Sequence, residues 1–154
     1  MEDLFKGDDR GMSKIREIMT TDLETCSLLD NVYEVAVKMK EFDVGAVPIV
    51  DGEKLVGMIT DRDIVLRGIA EKKPPSSKVE VVMSEHLVTI TPDTSTKEAA
   101  KLMSDHQIRR LPVVEGDKLV GIVSLGDFAI HPKMDNQAEV ALSEISEQDR
   151  SQIQ

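Results

Sequence analysis

Aromatic side chains are almost missing from this chain: Phe5, Tyr33, Phe42 and Phe128 are the full set, and tryptophan is absent. So few flat rings give no platform on which the bases of a single strand could stack. Cysteine occurs once, at Cys26. No disulfide can form within the chain, and a reducing compartment is expected. No apolar run approaches the roughly 18 residues of a membrane span, and the start MEDLFKGDDRG lacks the apolar stretch of a signal peptide. The expected location is cytoplasmic, with no membrane partner. Positive charge is in short supply, with 19 basic against 29 acidic residues and a net charge of −10. Such a chain repels phosphate backbones, so no nucleic-acid partner is expected and any anion site must be a local cluster.

Catalytic and metal-binding groups are sparse as well. His86, His106 and His131 are scattered, and no pair has metal-ligand spacing on one element, so no metal is expected. There is no G-x-S-x-G elbow and no recognisable nucleophile with its base. Cys26 reads as a small core residue, and Met39 and Met103 as core filling. An enzyme is therefore not expected.

What the chain does have is an internal repeat. Sliding the sequence along itself by 64 residues aligns 14–64 with 78–128 without a gap, and 15 of those 51 positions are identical. The best block sets VPIVDGEKLVGMITDRDI, from Val47, over LPVVEGDKLVGIVSLGDF, from Leu111. A unit used twice is too small to hide its own apolar face, so the two copies are expected to pack together. The boundaries read as a loose N-terminus at 1–13, repeat 1 at 14–71, a KKPPSS linker at 72–77, repeat 2 at 78–132 and an acidic tail at 133–154. In that tail Asn136 could cap a helix carrying Ala138, Ala141, Leu142 and Ile145 on one side.

Each copy has the same coarse layout. A helix opens at Asn31-Val-Tyr-Glu34 and at Ser95-Thr-Lys-Glu98, both with capping-box spacing. Val32, Val35, Ala36, Met39 and Phe42 mark its buried face, echoed by Ala99, Ala100 and Met103. Two β-rich runs follow, Ala46–Val50 and Leu55–Thr60 around the turn Asp51-Gly52, then Leu111–Val114 and Leu119–Ser124 around Glu115-Gly116. A second helix begins near Asp61 and runs towards Arg67-Gly68; its counterpart starts near Gly126 and stops at Pro132. A short extended lead-in precedes each copy, at Leu23–Cys26 and Leu87–Ile90. The fold class is α/β (α+β), two pseudo-symmetric β-α-β-β-α repeats packed through their small sheets.

Two features could carry chemistry. Thr60-x-x-Asp63 and Ser124-x-x-Asp127 place a hydroxyl and a carboxylate together at a strand-to-helix junction. The same spacing is that of an ordinary helix cap. Arg109 and Arg110 stand at the mouth of a buried strand, able to bind phosphate oxygens or to act as a surface pair neutralised by nearby acids.

The doubled unit, with GAVPIVDGEKLVGMITDRDI and IRRLPVVEGDKLVGIVSLGDF, resembles a tandem pair of cystathionine-β-synthase (CBS) domains, a stand-alone Bateman module covering about residues 12–131. The resemblance implies a regulatory module that binds adenosine-containing ligands between its repeats: AMP, ADP or ATP, with S-adenosylmethionine or NAD less favoured, and no cofactor required. It implies a homodimer that signals to an unidentified protein partner through the ligand-dependent orientation of its halves. By carry-over from the family, Thr60 and Asp63 share a first cleft with Ile108, Arg109 and Arg110, the adenine lying against Val79–Met83. Ser124 and Asp127 share a second cleft with Val44, Gly45 and Ala46, which lacks arginine and suits at most a nucleoside. The alternative is a scaffold with empty clefts whose physical job is dimerisation.

Overall fold

The structure is a computed structural model, and it describes residues 13–130 and Ile145. The expectations for the N-terminal 1–12, for Pro132 and for most of the acidic tail concern residues outside these; Ile145 itself is helical and buried. The described chain forms two compact units. One comprises 22–88 with 116–119, and the other 13–21, 89–115, 120–130 and Ile145.

In the 22–88 unit, β1 (Cys26–Ser27) runs parallel to β2 (Ala46–Asp51), which is antiparallel to β3 (Lys54–Thr60). β1 starts three residues later than the expected lead-in at Leu23–Cys26 and ends at Ser27, whose amide donates to the Asp30 carboxylate at 2.8 Å. Between the first two strands lies helix α1 (Val32–Phe42). Its start is a complete capping box: the Glu34 amide donates to Asn31 Oδ1 at 2.9 Å and the Asn31 amide to Glu34 Oε1 at 3.4 Å. Val32 and Val35 are buried and Met39 packs against the core, whereas Phe42, expected on the same face, is half exposed in the final residue of the helix. The buried face therefore ends at Met39. The core gathers Cys26, Val32, Val35, Val47, Ile49 and Ile59 with Val79, Val82 and Met83.

β3 leads into α2 (Asp61–Asp63), a single turn that continues as a π-helix over Ile64–Ile69. The expected second helix thus has the expected length and a wider winding. In the other unit α3 (Thr96–His106) opens at Ser95, whose Oγ accepts from the Glu98 amide at 3.1 Å; the reciprocal bond is not made. Strands β4 (Arg110–Glu115) and β5 (Lys118–Ser124) follow, then α4 (Leu125–Ile130), wound as an ordinary α-helix. Both hairpin turns use glycine where the backbone demands a positive φ: +67° at Gly52 and +66° at Gly116.

A proline sits inside a strand of each copy, and the pairing explains how. Pro48 faces Met58, whose amide and carbonyl both point away from β2, bonding Ser84 at 3.0 and 2.9 Å. The missing N–H of Pro48 therefore falls at a non-hydrogen-bonded position and costs no ladder bond. The partner of Met58, Ser84, belongs to the lead-in of the second sequence repeat. The lead-in of the first, at Thr20, bonds Ile122 in the same reciprocal way at 2.8 and 3.0 Å. Sequence repeat and compact unit are thus different stretches of chain, because the lead-ins are exchanged.

Candidate functional site

In the 22–88 unit the end of β3 builds the junction predicted from the Thr-x-x-Asp spacing. The Asp63 amide donates to Thr60 Oγ1 at 3.1 Å, and the Thr60 amide donates to Asp63 Oδ2 at 2.9 Å. The capping role is therefore real. It occupies one carboxylate oxygen; Oδ1 of Asp63 has no hydrogen-bond partner among the described residues. Both side chains are half-buried, and so remain reachable. Beside them runs the entry to β2: Ala46 pairs with Thr60, and the Asp61 amide donates to the Gly45 carbonyl at 3.0 Å. Val44 is exposed and Ala46 is buried.

The other unit repeats the arrangement. The Ser124 amide donates to Asp127 Oδ2 at 2.7 Å, and the Leu125 amide donates to the Arg109 carbonyl at 3.1 Å. Ile108 is half-buried, and Arg109 and Arg110 are exposed. The turn that delivers them is set by Gln107, which ends α3 in the left-handed region at φ 54°, as Asp43 at φ 53° ends α1 before Val44. Each unit thus presents a hydroxyl, a carboxylate and a strand-entry segment, but only one copy has guanidiniums in that segment.

Val79 and Met83 occupy the exchanged lead-in. Val79 is fully buried in the core and Met83 nearly so. Met83 lies across Gly57, where a Cβ would sit 2.6 Å from its Sδ; Met19 covers Gly121 in the same way, at 2.7 Å. Only glycine leaves room for a methionine lid on the strand. One contact was not foreseen from the sequence: Arg67 Nη1 donates to the Met83 carbonyl at 3.1 Å. Its signal was present only as the basic residue one turn beyond Asp63, indistinguishable there from a solvated helix position.

Cys26 is buried in the core, and that burial pushes its thiol up to about 11, with Asp30 adding to the effect and Lys38 opposing it. A thiol held so firmly protonated is a poor nucleophile. Among the described residues no group of three His, Cys, Asp or Glu side chains could hold a metal ion, and no helix is long and apolar enough to cross a membrane.

Comparison with known proteins places these features. The family model described as CBS domain matches twice, at residues 15–68 and 79–131. The chain is 54% identical over 140 residues to the uncharacterized protein YlbB of Bacillus subtilis, spanning 90% of this chain and 95% of that one. Among solved structures it is similar to Hypoxic Response Protein I, described with two coordinated zinc ions, at 34% identity and a TM-score of 0.70, covering 77% of this chain and 98% of that one. It is also similar to the CBS domain pair of protein MJ0100 in complex with 5′-methylthioadenosine and S-adenosyl-L-methionine, at 28% identity and a TM-score of 0.71, covering 77% and 94%.

Proposed function

Because this chain belongs to the CBS domain family and carries the domain twice, we propose that it is an adenosine-ligand sensor that regulates a partner protein and catalyses no reaction itself. The observation that carries this is the junction at Thr60 and Asp63, where hydroxyl and carboxylate are held by reciprocal cap bonds and one carboxylate oxygen of Asp63 is left to accept from ribose hydroxyls, echoed at Ser124 and Asp127, where the carboxylate accepts from the Ser124 amide. A related pair whose structure was solved with S-adenosyl-L-methionine and 5′-methylthioadenosine supports the ligand class. In the 22–88 unit Thr60 and Asp63 take the ribose, with Met83 at the adenine; in the other unit Ile108 offers an apolar contact for a base, and Arg109 and Arg110 offer guanidiniums for the phosphates of AMP, ADP or ATP. Ser124 and Asp127, with Val44, Gly45 and Ala46, form a second position suited to a nucleoside, since no cation stands in that strand entry. Binding acts by favouring one arrangement of the halves, or of two chains in a homodimer, over another.

The test is thermal unfolding of the purified protein against adenosine, AMP, ADP, ATP, GTP, S-adenosylmethionine and NAD. A ligand at about 100 times its Kd adds roughly 2.7 kcal/mol, which is several degrees in Tm at this chain length. The expected result is a shift with adenine ligands and none with GTP. Asp63→Asn, which keeps an acceptor for the cap, should weaken every adenosine ligand, and Arg110→Ala should weaken ATP far more than adenosine. Equal losses across the series for Arg110→Ala would remove the phosphate role. A flat panel on a folded dimer would favour the scaffold alternative, for which the large exposed apolar side chains speak. Leu29, Tyr33, Phe42, Val44, Val65, Leu66, Ile69 and Val81 all lie in the 22–88 unit.

A further inference from the structure

We propose that Arg67 is the positioning residue of the first site: by gripping the Met83 carbonyl it ties the segment against which the base rests to the helix that carries Asp63. The inference rests on the nucleotide binding proposed above and adds a role to a residue outside the hydroxyl–carboxylate junction.

Three contacts hold the lead-in to this part of the unit. Ser84 exchanges both of its backbone bonds with Met58, and the Met83 side chain lies on Gly57. Gly68 is buried, with the place of its missing Cβ 3.7 Å from Val82 Cγ1, so the helix approaches the segment closely. Arg67 then adds the only side-chain hydrogen bond to the segment among the described residues, at 3.1 Å. Arg67 lies four residues after Asp63, about one turn further along the helix. A displacement of the Met83 backbone is therefore transmitted to the carboxylate one turn away.

The winding of the helix matters here. Over Ile64–Ile69 the chain follows a π-helix, with the Ala70 amide bonded to the Val65 carbonyl and the Lys73 amide to the Gly68 carbonyl, both at 2.9 Å. Such widened turns are uncommon and recur at functional positions, since they re-aim the side chains they contain. The second copy has the methionine over glycine and the reciprocal strand bond, at Met19 and Thr20, and α4 is α-helical as far as Ile130; the counterparts of Arg67 and of the rest of the widened turn lie outside the described residues. In the first copy the widened turn carries the arginine that grips the lead-in.

Isothermal titration of wild type, Arg67→Ala and Arg67→Lys with adenosine, AMP, ATP and inosine tests this, alongside amide hydrogen exchange over residues 79–84. Arg67→Ala should lose about tenfold in affinity for adenosine, AMP and ATP alike, its preference for adenosine over inosine should narrow, and exchange over 79–84 should accelerate. Arg67→Lys, which can still donate to a carbonyl, should recover part of each. Unchanged affinity and discrimination in a folded Arg67→Ala would overturn the inference while leaving nucleotide binding intact. So would a loss that grows with phosphate number, since that places Arg67 on the phosphates. If wild type binds no adenine ligand, nucleotide binding fails, and with it the role of Arg67 at the base. The exchange data then still decide whether the grip on Met83 exists.

Discussion

Val32 and Thr96 occupy the same place in the two copies, differing by little more than a methyl in place of a hydroxyl, and both are buried. Valine serves the core; threonine brings an Oγ1 that is fully enclosed and has no hydrogen-bond partner among the described residues. An enclosed hydroxyl forfeits its bonds to water and gains nothing back, at a cost of roughly 1–3 kcal/mol. Thr96→Val should therefore raise stability by about 1 kcal/mol, read as a higher urea midpoint with an unchanged slope. A lower midpoint would mean that the hydroxyl finds a partner in solution, such as a trapped water. Charge tells a quieter story at this scale. Arg16 holds the Asp93 carboxyl below its ordinary value, through a 2.7 Å bond, but both groups stand in solvent and the pair contributes little to folding.

Helix ends show how far one element decides the next. α1 and α3 both stop on a residue with side chain in the left-handed region, Asp43 and Gln107, where glycine is at ease and other residues pay roughly 1 kcal/mol. Asp43→Gly should accordingly stabilise by about 0.5–1 kcal/mol. Gln107→Gly should gain less, because Gln107 Nε2 donates to the Ser104 carbonyl at 2.8 Å and that bond would be lost. Chemical denaturation of the two variants in parallel gives the comparison; a larger gain at Gln107 would show that the side-chain bond is worth nothing. At this scale the sequence was readable wherever a local rule sets the geometry. Asn31 with Glu34, the two Gly turns and the Ser/Thr-x-x-Asp junctions act over three or four residues, and they appear as read. The end of β1 at Ser27 was not readable, since there the Asp30 carboxylate captures the amide. Nor was the π-winding after Asp63: IVLRGI, with Gly68 and three β-branched residues, is a weak helix former, and that weakness does not tell a widened turn from an α-helical one.

On the scale of the whole molecule the exchanged lead-ins matter most, and they were hidden from any reading confined to neighbouring residues. The repeat at an offset of 64 is plain in the sequence, but which lead-in serves which copy depends on contacts between residues far apart in the chain. Val79, Val82 and Met83 belong to sequence repeat 2, yet they supply three of the nine residues in the core of the 22–88 unit. Burying three such side chains contributes roughly 5–8 kcal/mol, comparable with the entire 5–15 kcal/mol of a typical domain. A chain severed in the linker at 72–77 should therefore give two halves that cannot fold separately, although each holds one complete sequence repeat. Fragments 1–75 and 76–154, purified alone, should show no cooperative thermal transition; mixed at equal concentration, they should recover one whose midpoint rises with concentration. Full cooperative unfolding of 1–75 alone would show that the first repeat closes its core without Val79, Val82 and Met83. The same dependence bears on sensing. A lead-in that completes the core of the 22–88 unit cannot shift without disturbing that core, so a ligand resting against Met83, as proposed above, would act on a segment to which the stability of this unit is already tied.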